Sequence, residues 1–211
     1  MVAVALNELY SVERIINRKD AKKNFLNLRA LSLPSGSKEV TMNVSDAIRT
    51  KRAVRKFQDK HLPDDIVHAI LNAGRRSQSS KNSQTWQFIA IQEKATLKAL
   101  SECGEWAGHI ACAAVCVAIL TPEPAGKFQT MFDAGQAAAF MQLAAWELGI
   151  GSCPASLYEF EKTRAILGFP PEWHLRIALS FGYPADEEQL SAAPKKGGRI
   201  SLDEIVHWNK W

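Results

Sequence analysis

The sequence predicts an α+β fold, with strands and amphipathic helices sharing one globular body. Three stretches carry that expectation. Residues 113–120 form an unbroken apolar run of strand length, the pattern of a central strand buried on both faces. Residues 174–181 alternate, which places Leu175, Ile177, Leu179 and Phe181 on one face of a strand. Residues 133–148 make the longest helical pattern. Ala134, Ala137, Ala138, Met141, Ala144, Ala145 and Leu148 leave it little polar surface, so the helix is predicted to be buried, with alanines that let another helix approach closely.

The other elements follow in order. Leu6, Leu9, Val12 and Ile16 recur at helical spacing and predict a helix over residues 4–17, within an extension that ends at residue 42. Asn7 and Glu8 interrupt any signal-peptide-like apolar region, which predicts no secretion. The stretch 33–37, Leu-Pro-Ser-Gly-Ser, reads as a linker to a domain spanning 43–211. Ser45 is the predicted N-cap of a short helix. Pro63, Asp64 and Asp65 open the next one, with Ile66, Val67, Ile70 and Leu71 as its apolar stripe and Gly74 as its stop. A strand over 88–91 and a helix over 94–103 follow, the latter with Leu97 and Leu100 inward. The run 121–126 breaks the chain, and Gly149 is a natural residue to end the long helix. A short helix over 159–167 closes at Gly168. Ser201 and Glu204 have capping-box spacing for a last helix, and Trp208 and Trp211 lie on the tail.

Composition bounds the function classes. The chain has 211 residues, 46% hydrophobic and 23% charged, as a soluble single domain does. A net charge of +4 is too small to argue for nucleic acid. Seven Lys and Arg against four Asp and Glu in residues 1–40 place most of that excess in the extension. No apolar run approaches the ~20 residues of a membrane span. Cys103, Cys112, Cys116 and Cys153 form no C-x-x-C pair and have no histidine at ligand spacing, which predicts no metal site. Cys112 and Cys116, in an Ala/Val run, are predicted to be buried, and reduced thiols predict a cytoplasmic protein.

The candidate chemistry lies in two stretches. From Arg49 to Lys56 there are five cations in eight residues. Cations this dense repel one another unless an anion sits among them. Phosphate suits that place, because guanidinium binds its oxygens bidentately and ammonium binds them as a point charge. The alternative is a solvated basic turn. The second stretch runs from Ser77 to Phe88. Small hydroxyl and amide side chains fill it and lead into the apolar strand at 88–91, which suits amides reading the edge of a planar, heteroatom-rich ring.

Together the two stretches resemble the nitroreductase-like FMN-dependent oxidoreductase family. Its basic motif, near R-R-S-x-R-x-F, matches Lys51-Arg52-Ala53-Val54-Arg55-Lys56-Phe57. Its A-P-S-x-x-N-x-Q-P-W motif matches the stretch from Ser77 to Trp86. Ala53 stands where the family usually has Ser, and Gln78 and Thr85 stand where it usually has Pro. The resemblance covers roughly residues 43–208. It implies a three-layer fold with a central, mostly antiparallel sheet flanked by helices, and an intertwined homodimer with two FMN sites at the interface, the helix over 133–148 at its heart.

By that resemblance Lys51, Arg52 and Arg199 serve the FMN phosphate and ribityl end, and Arg55 lies by the N1–C2=O edge, where reduction adds negative charge. Asn82, with Ser79 and Gln84 nearby, reads the ring edge from the partner subunit. Ala53 lacks the hydroxyl that helps hold that ring, and Pro154, Ala155 and Ser156 lie beside N5. Asn82 and Gln84 can equally satisfy turn backbone, and Lys51 can be solvated. Trp106, His109, Phe128, Met131 and Phe132 fall where the family varies its substrate cover. His61, His68, His109, His174 and His207 carry no motif. The implied activity is ping-pong hydride transfer from NADH or NADPH, through FMN, to a small electron-poor acceptor such as a nitroaromatic or quinone. No nucleic acid and no membrane are implied. Two other classes stay open. One is a family member that uses flavin for dehalogenation, flavin breakdown or dehydrogenation. The other is a non-enzymatic nucleic-acid or flavin binder.

Overall fold

A computed structural model describes residues 42–122, 128–186 and 198–211. The helix and linker predicted before residue 42 lie outside them, as does most of the break at 121–126. In chain order the elements are α1 (Val44–Thr50), α2 (Asp64–Arg75), β1 (Gln87–Ile91), α3 (Lys94–Ser101), β2 (Val115–Pro122), α4 (Phe128–Glu147), β3 (Gly151–Ala155), α5 (Phe160–Leu167), β4 (Trp173–Gly182) and α6 (Leu202–Ile205). The four strands form one sheet in the order β1-β2-β4-β3, and each neighbouring pair is antiparallel.

β2 is apolar throughout because both of its faces are covered. Val115, Val117 and Ile119 join Ile70 of α2 and Met141 of α4 in one core. Cys116, Ala118 and Leu120 join Leu97 and Leu100 of α3 in the other. Gly74 does not stop α2. It lies inside the helix, where a Cβ would sit 2.1 Å from Met141 Cε, so it sets how closely α2 and α4 pack. The alanines of α4 point the same way: Ala134, Ala137, Ala138 and Ala145 are buried in their own chain's core. The apolar side chains that α4 leaves exposed are Phe128, Met131, Phe132 and Phe140.

The single face predicted for β4 is corrected. Ile119 pairs with Ile177 but Leu120 pairs with Leu175, so the ladder skips Arg176. That extra residue turns the preceding side chain over. Leu175 therefore enters the core of Leu120, while Ile177, Leu179 and Phe181 face the opposite core.

β3 is not predicted from the sequence, since Pro154 lies within it. The strand tolerates proline because it is at the sheet edge, paired over its whole length only with β4. Asn43, not Ser45, caps α1, its side-chain oxygen accepting the Asp46 N–H at 2.9 Å. The Ser201 hydroxyl donates to the Glu204 carboxylate at 2.7 Å and does not cap α6. Cys112 is exposed, against expectation, whereas Cys116 is buried and its thiol is pushed up to about 12. Among the described residues no helix is long and apolar enough to cross a membrane, and no group of His, Cys, Asp or Glu is arranged to hold a metal.

Candidate functional site

The basic stretch is docked on the sheet edge by its two apolar residues. Val54 and Phe57 are buried, and each packs on a glycine. A Cβ on Gly151 would lie 2.7 Å from Val54 Cβ, and one on Gly182 would lie 2.9 Å from Phe57 Cδ1. Gly151 and Gly182 are themselves register partners across β3 and β4. The backbone completes the dock. Val54 N–H donates to Ser152 O at 2.9 Å, Gln58 N–H to Tyr183 O at 2.8 Å, and Ala185 N–H to Lys56 O at 3.0 Å. Ala53 bridges Ser152 and Phe57 bridges Pro184. Burying Val54 and Phe57 contributes about 1.5–3 kcal/mol each.

Docking this way leaves all but one of the cations without an ion-pair partner among the described residues. Arg49 is paired with Asp46 at 3.0 Å. Among the described residues, Lys51, Arg52 and Arg55 have no carboxylate within ion-pair reach. Lys51 Nζ donates to Gln142 Oε1 of α4, and burial lowers its pKa, with a Cys153 thiolate acting the other way. Arg52 Nη1 donates to the carbonyls of Arg49 and Lys51, at 2.9 and 3.0 Å, over the end of α1. Its Nε is buried and has no partner, as has Ser152 Oγ across the bridge from Ala53. Arg55 is exposed. Burial pushes the Cys153 thiol up and the Arg55 charge opposes it, while the same charge adds to burial in lowering the His109 pKa.

The structure thus brings Lys51, Arg52, Ala53 and Arg55 together with the β3 segment that ends at Pro154, Ala155 and Ser156. Gly104 approaches that segment closely, since a Cβ there would meet Ser156 O at 2.3 Å. Sequence reasoning put one residue here in the wrong place, taking His109 for a substrate-covering residue, and missed another, Gln142. His109 is buried beside β3 and Ser180, and Gln142 holds Lys51. A histidine without a motif and a glutamine in an alanine-rich helix gave no signal of either contact.

The polar loop lies elsewhere. Lys81, Asn82 and Gln84 have φ of 53°, 56° and 47°, the left-handed region that side chains seldom adopt. The loop closes on itself: Gln84 N–H donates to Ser79 Oγ at 3.0 Å and Gln84 Nε2 to Asn82 Oδ1 at 3.0 Å. It is tied to α4 where Ser80 N–H donates to the buried Asp133 carboxylate at 2.8 Å. Asp133 and the Lys51 partner Gln142 are nine residues apart on that helix, ~13 Å along its axis at 1.5 Å per residue. Gln78, Ser79, Asp133, Gln136 and the stacked pair Phe128–Phe132 line a recess of about 260 Å³ beside the loop. Arg199 is exposed on the segment before α6, and no hydrogen bond or ion pair joins it to the basic stretch.

Comparison with known proteins places this geometry. The sequence profile of the nitroreductase family matches residues 48–109 and 104–183. An Archaeoglobus fulgidus protein that provisionally carries the name NADH dehydrogenase/NAD(P)H nitroreductase is 29% identical over 171 residues, covering 78% of this chain and 96% of its own. An NADH dehydrogenase of Thermus thermophilus is 26% identical over 209 residues, covering 81% and 99%. An FMN-dependent nitroreductase structure from Clostridium difficile superposes with a TM-score of 0.68 at 25% identity, over 78% of this chain and 98% of that one. The profile match spans more than half the chain and contains both the docked basic stretch and the polar loop: the chain belongs to the nitroreductase family.

Proposed function

We propose that this protein is an FMN-dependent NAD(P)H oxidoreductase of the nitroreductase type, acting on small electron-poor acceptors such as nitroaromatics or quinones. The observation that carries the proposal is the docked edge: Lys51, Arg52 and Arg55 are held on fixed backbone with no carboxylate partner, beside the carbonyls and amides of β3. That donor set fits the cofactor. A phosphate supplies the anion the cations lack, and the orphaned Arg52 Nε marks a guanidinium whose hydrogen bonding is incomplete. When bound, FMN supplies the acceptor for hydride from NADH or NADPH and the donor of electrons to the second substrate.

The protein's part is binding and electrostatics. Lys51, Arg52 and Arg199 hold the phosphate and ribityl end. Arg55 places a permanent charge where the reduced ring carries its negative charge. Pro154, Ala155 and Ser156 present backbone along the reactive edge, and Ala53 leaves the ring one hydroxyl short. Ser79, Asn82 and Gln84 read the ring edge from the partner subunit. The ~13 Å between the two anchor points on α4 supports that division, since one chain's loop and basic stretch are held well apart. The proposed assembly is a three-layer, intertwined homodimer, supported by the exposed Phe128, Met131, Phe132 and Phe140 of α4. The test is a visible spectrum of the purified protein, followed by anaerobic NADH or NADPH. A flavin band that bleaches is the expected result. A colourless protein that takes up no added FMN sinks the reading. A bound flavin that neither nicotinamide reduces moves the protein to the dehalogenation, flavin-breakdown or dehydrogenation class.

A further inference from the structure

His109 lies on a single 3-10 turn, Gly108–Ile110, and its side chain reaches into the sheet. The residue is 7% exposed. Nδ1 is 2.8 Å from Ser180 Oγ on β4, and the Ser180 hydroxyl is placed to donate to the Cys153 carbonyl of β3 at 3.2 Å. The Ser180 proton goes to the Cys153 carbonyl, so Nδ1–H is the donor to Ser180 Oγ. One imidazole therefore holds the Cys153 carbonyl of β3 through Ser180. The charge acting on the ring is that of Arg55 in the docked stretch. The Cys112 thiol contacts the carbonyls of His109 and Arg55 at 3.4 and 3.7 Å, tying the turn to the basic stretch from its other side.

The proton count of this network is informative. The bond between Nδ1 and Ser180 and the bond to Cys153 need two protons. The neutral ring and the serine hydroxyl supply two. An imidazolium adds no bond to this chain, and burial, then the charge of Arg55, keeps the extra proton off.

We propose that His109 is a positioning residue that tunes the bound flavin by holding β3, through Ser180 and the Cys153 carbonyl, beside the docked Arg55 segment. The proposal rests on the flavin reading above. His109 donates nothing to the substrate and forms no bond in the reaction. It fixes where β3 ends and where the Arg55 charge stands.

The experiment measures the midpoint potential of bound FMN by dye equilibration in wild type, His109→Leu, His109→Gln and Ser180→Ala. A misplaced group at a reacting centre costs up to a hundredfold, so His109→Leu is expected to cut the preference for reduced flavin about tenfold with FMN still bound. That is about 30 mV lower for a two-electron couple. His109→Gln keeps a side-chain donor for Ser180 Oγ and recovers most of the shift. Ser180→Ala shifts the potential the same way by less. A folded, FMN-loaded His109→Leu protein with the wild-type potential overturns the proposal, and so does a shift that Gln does not recover. Where His109→Leu fails to fold, Ser180→Ala decides: an unshifted potential overturns the proposal and a lowered one supports it.

A second arm needs no flavin, so it separates failure of this proposal from failure of the flavin reading. The ring's pKa in the folded chain lies below its ordinary value of 6.5. As pH falls below ~6.5 the unfolded chain takes up a proton that the folded chain refuses, so stability is lost. Urea unfolding of wild type is expected to show that loss and His109→Gln to lack it. Matching profiles overturn the buried, bonded state on which the proposal stands.

Discussion

The basic stretch over 49–57 and the polar loop over 77–86 both offer polar side chains at the surface, and they are held in opposite ways. In the first, the backbone is committed. Val54 and Phe57 are buried on two glycines, and the main chain is bonded to β3 and the end of β4, while the charges of Lys51, Arg52 and Arg55 are left over. In the second, the side chains are committed. Asn82 and Gln84 are bonded to each other, Ser79 to the backbone of Gln84, and three residues sit at left-handed φ. A surplus of charge on a fixed backbone is prepared for an anion without further rearrangement. A loop whose amides are already bonded must exchange partners to read a ligand, so each of its contacts is worth less.

Gly151→Val tests that contrast most severely, because it fills the space Val54 occupies. Overpacking of this kind costs about 1–3 kcal/mol and here it lifts the whole basic stretch off the sheet, so stability and FMN retention are expected to fall together. Retained FMN in a destabilised Gly151→Val protein would mean that the cations do not need the dock.

Arg52→Ala removes one left-over charge without disturbing Val54. The expected loss of FMN affinity is about 1.5–3 kcal/mol, the range for charge-assisted hydrogen bonds. Arg49→Ala, whose partner is the exposed Asp46, is expected to cost under ~1 kcal/mol in the same titration. Equal losses in the two variants would erase the distinction between paired and unpaired cations.

The smallest effect belongs to the loop. Lys81 has φ 53° and ψ 24°, where glycine is at ease and an L-residue is not. Lys81→Gly is expected to raise stability by ~0.5 kcal/mol, the strain relieved less the entropy glycine loses, and to leave FMN affinity unchanged. A clear loss of either would show that the Lys81 side chain does more than face solvent.

How much of this was legible depended on whether the signal was local. The strand at 115–122 was visible because burial on both faces makes every residue of it apolar, and α4 because its alanines recur at helical spacing, although its start at Phe128 lay five residues before the predicted one. The cation cluster and the amide-rich loop were visible as composition. β3 was hidden because Pro154 argues against a strand, and only its edge position makes proline acceptable there. The inward Leu175 was misplaced because the bulge that turns it over belongs to the pairing with β2, not to β4's own sequence.

By itself the sequence determined the fold class, the family and the kinds of side chain available to a phosphate and a planar ring. Those depend on period, spacing and residue type, which are read within one segment. Tertiary structure alone decided which cations lack an anion, that Gly151, Gly182 and Gly74 are there for close approach, and that His109 grips β3 through Ser180. The reason is physical. Whether a charge is paired, a glycine crowded or a histidine buried depends on what a distant segment brings to it, and Val54 meets Gly151 only after some hundred residues of chain have folded between them.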